Sequence, residues 1–325
     1  MRSIRFFLAF LFGAVISAVA VLYRLYSRER RVAITRLANG SQVVETDHGP
    51  VEYAEVGRGP AVLVLHGGGA GYDSGLILAF PEWGFRFVSP SRPGYLRTPL
   101  ETGRTPEEQA DAFAALLDVL GIKKAAVWGM SGSGPSAIQF ALRHPERCWA
   151  LILLSAASQP LPAFPLAMRI VVQCMPHNDF IPWLMMNPRS ARWISGPKLT
   201  DHLGSDPQKN LMFDATMRSM FPISLRMQGG LNDVQMTASM SPLPLERVSV
   251  PTLVIHGDSD TVVPFAQGQY SAQNIPGAQL LAIQDGDHMC FITHLEKTGP
   301  VLKGFLETHV PRRSHVSWKK SSWNK

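Results

Sequence analysis

An α/β fold, with a mostly parallel central sheet covered by helices on both faces and preceded by a transmembrane helix, is what this 325-residue sequence predicts. Three observations carry the prediction. Continuous apolar runs of strand length recur as AVLVL (61–65), FRFVSP (85–90), AAVWGM (125–130), WALILLS (149–155) and TLVIHG (252–257), the pattern of strands buried on both faces. Helical patterns alternate with them, which favours parallel strands joined by crossover helices. An uncharged stretch of 18 residues, Phe6 to Tyr23, stands ahead of all of these.

That first stretch is just long enough to span a bilayer as a helix. Arg2 and Arg5 precede it, and Arg24, Arg28, Arg30, Arg31 and Arg36 follow. A cleaved signal peptide is the competing reading, helped by the small residues of Ala18-Val19-Ala20. Four arginines directly after the cleavage site would resist translocation, so residues 1–31 read first as an anchor. The excess of arginine on the carboxy-terminal side would keep the body cytoplasmic, with export after signal cleavage as the alternative.

The body then follows in order. Residues 41–57 read as a hairpin turning at His48-Gly49-Pro50. After the strands at 61–65 and 85–90, Glu107 to Gly121 reads as a helix that begins past Thr105-Pro106 and stops at glycine. A second helix, GPSAIQFALRHP, follows the strand at 125–130. The alternation breaks at about 159–245, a segment rich in Pro, Met and Trp that reads as an insertion over the sheet's carboxyl edge. Strands at 252–257 and 279–283 resume the pattern, with helices expected after Pro264 and from about Thr293. The basic stretch 311–325 reads as a disordered tail able to touch anionic lipid headgroups.

Composition narrows the function classes. The chain is 46% apolar and 17% charged, which suits a large core and argues against disorder. Its net charge of +6 lies mostly in the two ends, so basicity points to flanks and membrane surfaces and not to a nucleic-acid groove. Cys148, Cys174 and Cys290 are odd in number and far apart, which gives neither a disulfide framework nor a metal spacing. Cys290 stands out only because it lies two residues after His288.

The strongest local signal is VWGMSGSGPSA. A buried strand ends at Gly129, a helix begins near Gly134, and Ser131 occupies the sharp turn between them. A nucleophile held on such a strained turn needs small neighbours, and Gly129, Gly132 and Ser133 supply them. Ser133 stands where the G-x-S-x-G pattern has glycine.

With these features the stretch from about 41 to 310 resembles the α/β-hydrolases. The resemblance extends to LHGGGAG (65–71), where that family builds half of its oxyanion hole, and to SRPGYLRTPL (91–100). It implies Ser131 as nucleophile, Asp260 of the G-x-x-D-x-x-V-P segment GDSDTVVP as triad acid, and His288, on the loop after the last strand, as base. Asp258 would then cap a turn. The oxyanion donors implied are the amides of Gly68 and Gly132, although the run Gly67-Gly68-Gly69 leaves the acting glycine open. Arg92 and Pro93 read as shaping the loop beside the pocket, and His66, His256 and His294 as structural. The chemistry implied is acyl transfer through an acyl-enzyme, with no metal and no organic cofactor.

The insertion at 159–245 is expected to form a helical lid. Its many methionines, with Phe164, Phe180, Trp183, Trp193 and Phe221, suit a loosely shaped hydrophobic pocket or simply pack the lid helices on one another. The substrate expected is a small lipophilic ester, and oligomeric state is left open. Carbon–carbon bond hydrolysis, release of amino-terminal proline, perhydrolysis and a non-catalytic binding role remain as alternatives.

Overall fold

The strands form where the apolar runs put them. In the computed structural model, which describes residues 2–161, 179–195 and 197–311, β1 (Gln42–Thr46) and β2 (Gly49–Gly57) make the hairpin. They are followed by β3 (Ala61–Leu65), β4 (Arg86–Pro90), β5 (Ala125–Met130), β6 (Cys148–Leu154), β7 (Thr252–Gly257) and β8 (Gln279–Ile283). The sheet order is β1-β2-β4-β3-β5-β6-β7-β8. β2 runs antiparallel to β1 and β4, and every pairing from β4 to β8 is parallel.

Because side chains alternate across a strand, the continuous apolar runs feed two cores. Leu63, Leu65, Val127, Leu151 and Leu153 pack on one face against Phe113, Leu116 and Leu117 of α3 (Pro106–Val119) and Ile138 and Phe140 of α4 (Gly134–Arg143). Val62, Val64, Trp128, Ile152 and Ile255 pack on the other face with Phe291, Leu302, Phe305 and Leu306. Each fully buried Leu, Ile or Phe contributes about 1.5–3 kcal/mol. The start of α3 is fixed by a capping box: Thr105 Oγ1 accepts from Glu108 N at 3.2 Å, and Glu108 Oε2 accepts from Thr105 N at 3.1 Å.

Between β3 and β4 lies α2 (Tyr72–Ile77), and between β6 and β7 lie α5 (Phe180–Met186), α6 (Pro188–Ser195), α7 (Pro197–Leu203), α8 (Pro207–Ser219) and α9 (Met227–Ser239). The α5–α9 helices occupy the stretch where the strand–helix alternation breaks in the sequence. α10 (Phe265–Asn274) follows β7 as expected. After β8 the helix expected from Thr293 is instead two: α11 (Cys290–Thr293) and α12 (Leu295–His309), separated at His294. Residues 162–178, including Phe164, Met168, Cys174 and Met175, and the basic tail from 312 lie outside the described residues.

The amino-terminal segment differs from its expected extent. One helix, α1 (Arg2–Asn39), continues past Arg31. No Gly or Pro interrupts the sequence between Gly13 and Gly40, so nothing breaks the helix earlier. It is long and apolar enough to cross a membrane, a property that signal sequences share. Its last turns belong to the body: Ala33 and Leu37 are buried, and the Tyr72 hydroxyl caps the end of the helix by donating to Leu37 O at 2.8 Å.

Candidate active site

Ser131 sits where β5 ends and α4 begins, in a single 3-10 turn, Ser131–Ser133, with φ +53°. Holding a non-glycine residue there costs about 1–3 kcal/mol, so the surroundings must over-determine it. They do so from three sides. Ala157 N, just past β6, donates to Ser131 O at 3.0 Å. The buried Ser133 hydroxyl accepts from Met130 N at 2.8 Å and lies 2.8 Å from Leu65 O, at the end of β3. The departure from the glycine pattern at 133 therefore ties the turn to the strand that leads into the glycine loop. From the third side Gly67 comes so close that a Cβ there would lie 3.0 Å from Ser131 Cβ.

The loops after β7 and β8 are laced together by Asp258 N to Ile283 O at 3.0 Å and Ser259 N to Gly286 O at 2.9 Å. This brings Asp260 and His288 to the same edge as Ser131. Asp260 Oδ1 accepts from Val262 N at 2.8 Å and Val263 N at 2.9 Å, which turns Oδ2 toward His288 Nδ1 at 2.8 Å. His288 Nε2 in turn lies 3.1 Å from Ser131 Oγ. Since an ionised carboxylate only accepts, the His288 proton belongs on Nδ1, and Nε2 is left to accept the serine proton. Burial alone would raise the Asp260 carboxyl pKa. Hydrogen bonds from His256, His288 and the Val263 amide outweigh it and hold the group well below the usual carboxylate range. Asp258 takes no part: its carboxylate accepts only from the neighbouring Ser259 hydroxyl at 3.2 Å among the described residues.

Gly68 and Gly132 face one another, since a Cβ on Gly132 would lie 3.9 Å from Gly68 N. Gly68 lines the same cavity as Ser131 and His288. That cavity, of about 200 Å³, opens beside Ser131 and is lined also by Gly67 and by Thr216, Met217 and Met220 of the α8 region.

The Arg92 loop is more deeply built in than a loop-shaping role implies. Arg92 is fully buried and forms a bidentate pair with Asp233 of α9, at 2.6 and 2.8 Å, while the Tyr95 hydroxyl donates to the same carboxylate. Its guanidinium also approaches Gly132 O at 3.5 Å, and its backbone N donates to His66 Nε2 at 2.9 Å. Burial lowers the His66 pKa well below its ordinary value, with Arg92 adding to the effect, so His66 is a neutral brace between the glycine loop and the Arg92 loop. Asp233 is the residue that sequence reasoning missed. Its signal is faint: a single charged residue in α9, MQGGLNDVQMTAS. Cys290 is buried, and burial pushes its thiol up to about 12, so it is no nucleophile.

A parallel sheet carrying a serine on a strained strand–helix turn, with carboxylate and imidazole delivered by the last two strand loops, defines a hydrolase class of architecture. The family model for the α/β-hydrolase fold matches residues 60–178. An α/β-hydrolase fold protein from Nakamurella multipartita is 33% identical, superposes with a TM-score of 0.71, and is matched over 83% of this chain and 98% of that one. The uncharacterized hydrolase YcgS of Bacillus subtilis (strain 168) is 28% identical over 286 residues, 82% of this chain and 98% of the relative. A 2-hydroxy-6-oxononadienedioate/2-hydroxy-6-oxononatrienedioate hydrolase of Pseudomonas sp is 26% identical over 293 residues, 84% and 99% of the two chains. The chain belongs to the α/β-hydrolase fold family.

Proposed function

We propose that the chain is a membrane-anchored serine hydrolase that cleaves a carboxylic ester of a lipophilic small molecule. The observation that carries this reading is the hydrogen-bonded line Asp260–His288–Ser131 on the strained turn. In the proposed mechanism His288 Nε2 removes the Ser131 proton as Oγ attacks the ester carbonyl, and Asp260 holds the imidazole in the required tautomer. The amides of Gly68 and Gly132 receive the developing oxyanion, each worth about 3–4 kcal/mol by precedent. His288 then gives its proton to the leaving alcohol. Water, activated by the same base, attacks the acyl-enzyme, Ser131 regains its proton, and the acid departs. No metal or organic cofactor enters the scheme.

The α5–α9 helices serve as the lid in this reading, with Met217 and Met220 as the adaptable wall of an acyl pocket. α1 anchors the chain, with the arginines that follow Tyr23 keeping the body on the cytoplasmic side. A fluorophosphonate probe tests the chemistry: labelling of the wild type that disappears in Ser131→Ala and His288→Ala is expected, and a folded wild type that does not label refutes it. A p-nitrophenyl ester panel tests the pocket, and a preference confined to acetate refutes the lipophilic substrate.

A second reading, carbon–carbon bond hydrolysis of a vinylogous diketone, is favoured by the Pseudomonas relative and uses the same three residues. Turnover of such a diketone well above that of any ester in the panel decides for it.

A further inference from the structure

The apolar run of α1 ends at Tyr23, and the body begins at the same level. The Tyr23 ring lies 6.1 Å from that of Phe180, the first residue of α5. Tyr26, about 4.5 Å further along the helix axis, meets Phe180, Trp183 and Phe221 at 5.4–6.2 Å. The contact is cemented by polar groups: Arg30 Nε donates to Asp179 Oδ2 at 2.9 Å, and the Trp183 indole donates to Glu29 at 2.6 Å. Asp179 is buried and also accepts from Ser224 N and Oγ. α5 is thus fastened beside the point where α1 leaves its apolar stretch.

The exposed side chains around this junction fit a bilayer surface. α5 presents Ile181 and Met185, four residues apart and so on one face, each about half exposed, at 51% and 52%. Trp193 on the next helix, α6, is 85% exposed, and indole is the side chain that favours the headgroup layer. On α1, Tyr23, Tyr26, Arg30, Ala33 and Leu37 form the stripe that docks on the body. Arg24, Arg28 and Arg31 recur at helical spacing on the opposite side and are exposed. Cations beside exposed apolar groups are complementary to anionic headgroups above acyl chains. The junction also reaches the cavity, because Phe221, which touches Tyr26, follows the cavity-lining Met220.

We propose that α5 and α6 form an interfacial surface that seats the helices over the cavity in the headgroup layer of the bilayer that α1 crosses. This rests on the anchor reading of α1. A substrate dissolved in the bilayer then reaches the cavity from the Met217–Met220 side without passing through water.

The test uses the full chain in vesicles of phosphatidylcholine and phosphatidylglycerol. Cys148 and Cys290 are buried, so Ile181→Cys and Met185→Cys in a Cys174→Ser background accept an environment-sensitive fluorophore. Blue-shifted emission quenched by spin-labelled lipid is expected at both positions. Unquenched, solvent-like emission in a chain that resists carbonate extraction overturns the surface and leaves the anchor standing. Release by carbonate overturns both. The labelling reads independently of catalysis. In a second arm, Ile181→Glu with Met185→Glu is expected to lower turnover of a long-chain ester presented in vesicles at least about fivefold, with p-nitrophenyl acetate turnover unchanged. Equal vesicle turnover overturns the proposal, and if acetate turnover also falls the fluorophore positions decide.

Discussion

At the edge of the sheet a Cβ added to Gly134 would come within 2.1 Å of Ala157 O, and one added to Gly257 within 2.2 Å of Gly286 O. The cavity beside Ser131 is also lined by Met217 and Met220, whose side chains are long and flexible. The sheet edge holds Asp260, His288 and Ser131 in one hydrogen-bonded line by packing backbone on backbone. Met217 and Met220 shape the cavity with unbranched, polarizable side chains. Precision is needed where atoms react, and tolerance is useful where a variable apolar group must fit. Arg92–Asp233 joins the two regions, one partner on the loop beside β4 and the other on α9.

Breaking each region separately sharpens this contrast. The largest effect is expected on the sheet edge: Asp260→Asn should lower kcat by about 10⁴-fold, because the imidazole loses the group that fixes its tautomer. Asp258→Asn should leave kcat unchanged within error, and steady-state kinetics on a short p-nitrophenyl ester distinguish the two. A large loss from Asp258→Asn would reverse the assignment of the two carboxylates.

Cutting the bridge comes next. Asp233→Ala leaves the buried Arg92 guanidinium unpaired and should destabilise the fold by about 3–5 kcal/mol, measured by denaturant unfolding. Replacing both partners with apolar residues, Arg92→Met with Asp233→Leu, should recover much of that loss, since the penalty comes from an uncompensated buried charge.

The smallest effect is expected on the adaptable wall. Met217→Ala and Met220→Ala should each leave acetate-ester turnover within about twofold while shifting the chain-length optimum, as side chains that shape the pocket without touching the reacting atoms would do. A loss of acetate turnover as large as that from Asp260→Asn would show that the two regions are not separable.

Much of this was legible in the sequence because it depends on local physics. The strand runs, the capped helix after Thr105 and the Ser131 turn follow from periodicity, capping and small-residue chemistry within a few residues of one another. Asp260 is reached from the sequence mainly through family resemblance and His288 through its spacing and its place after the last strand, and their meeting requires two loops to be laced across strands. Asp233 and the extension of α1 were not legible. A buried ion pair 141 residues apart in sequence has no local signature, and an unbroken helix does not announce which of its turns will find a body to pack on.

The sequence by itself determined the layer order, the place of the strained Ser131 turn and the apolar amino-terminal stretch, since each is encoded in contiguous residues. Tertiary structure alone decided which carboxylate faces His288, what neutralises Arg92, and that α1 beyond its apolar stretch is docked on the body, first on α5 and then beside Tyr72. These depend on groups that become neighbours only when distant segments pack, and packing energy, unlike helix or strand propensity, is a property of pairs.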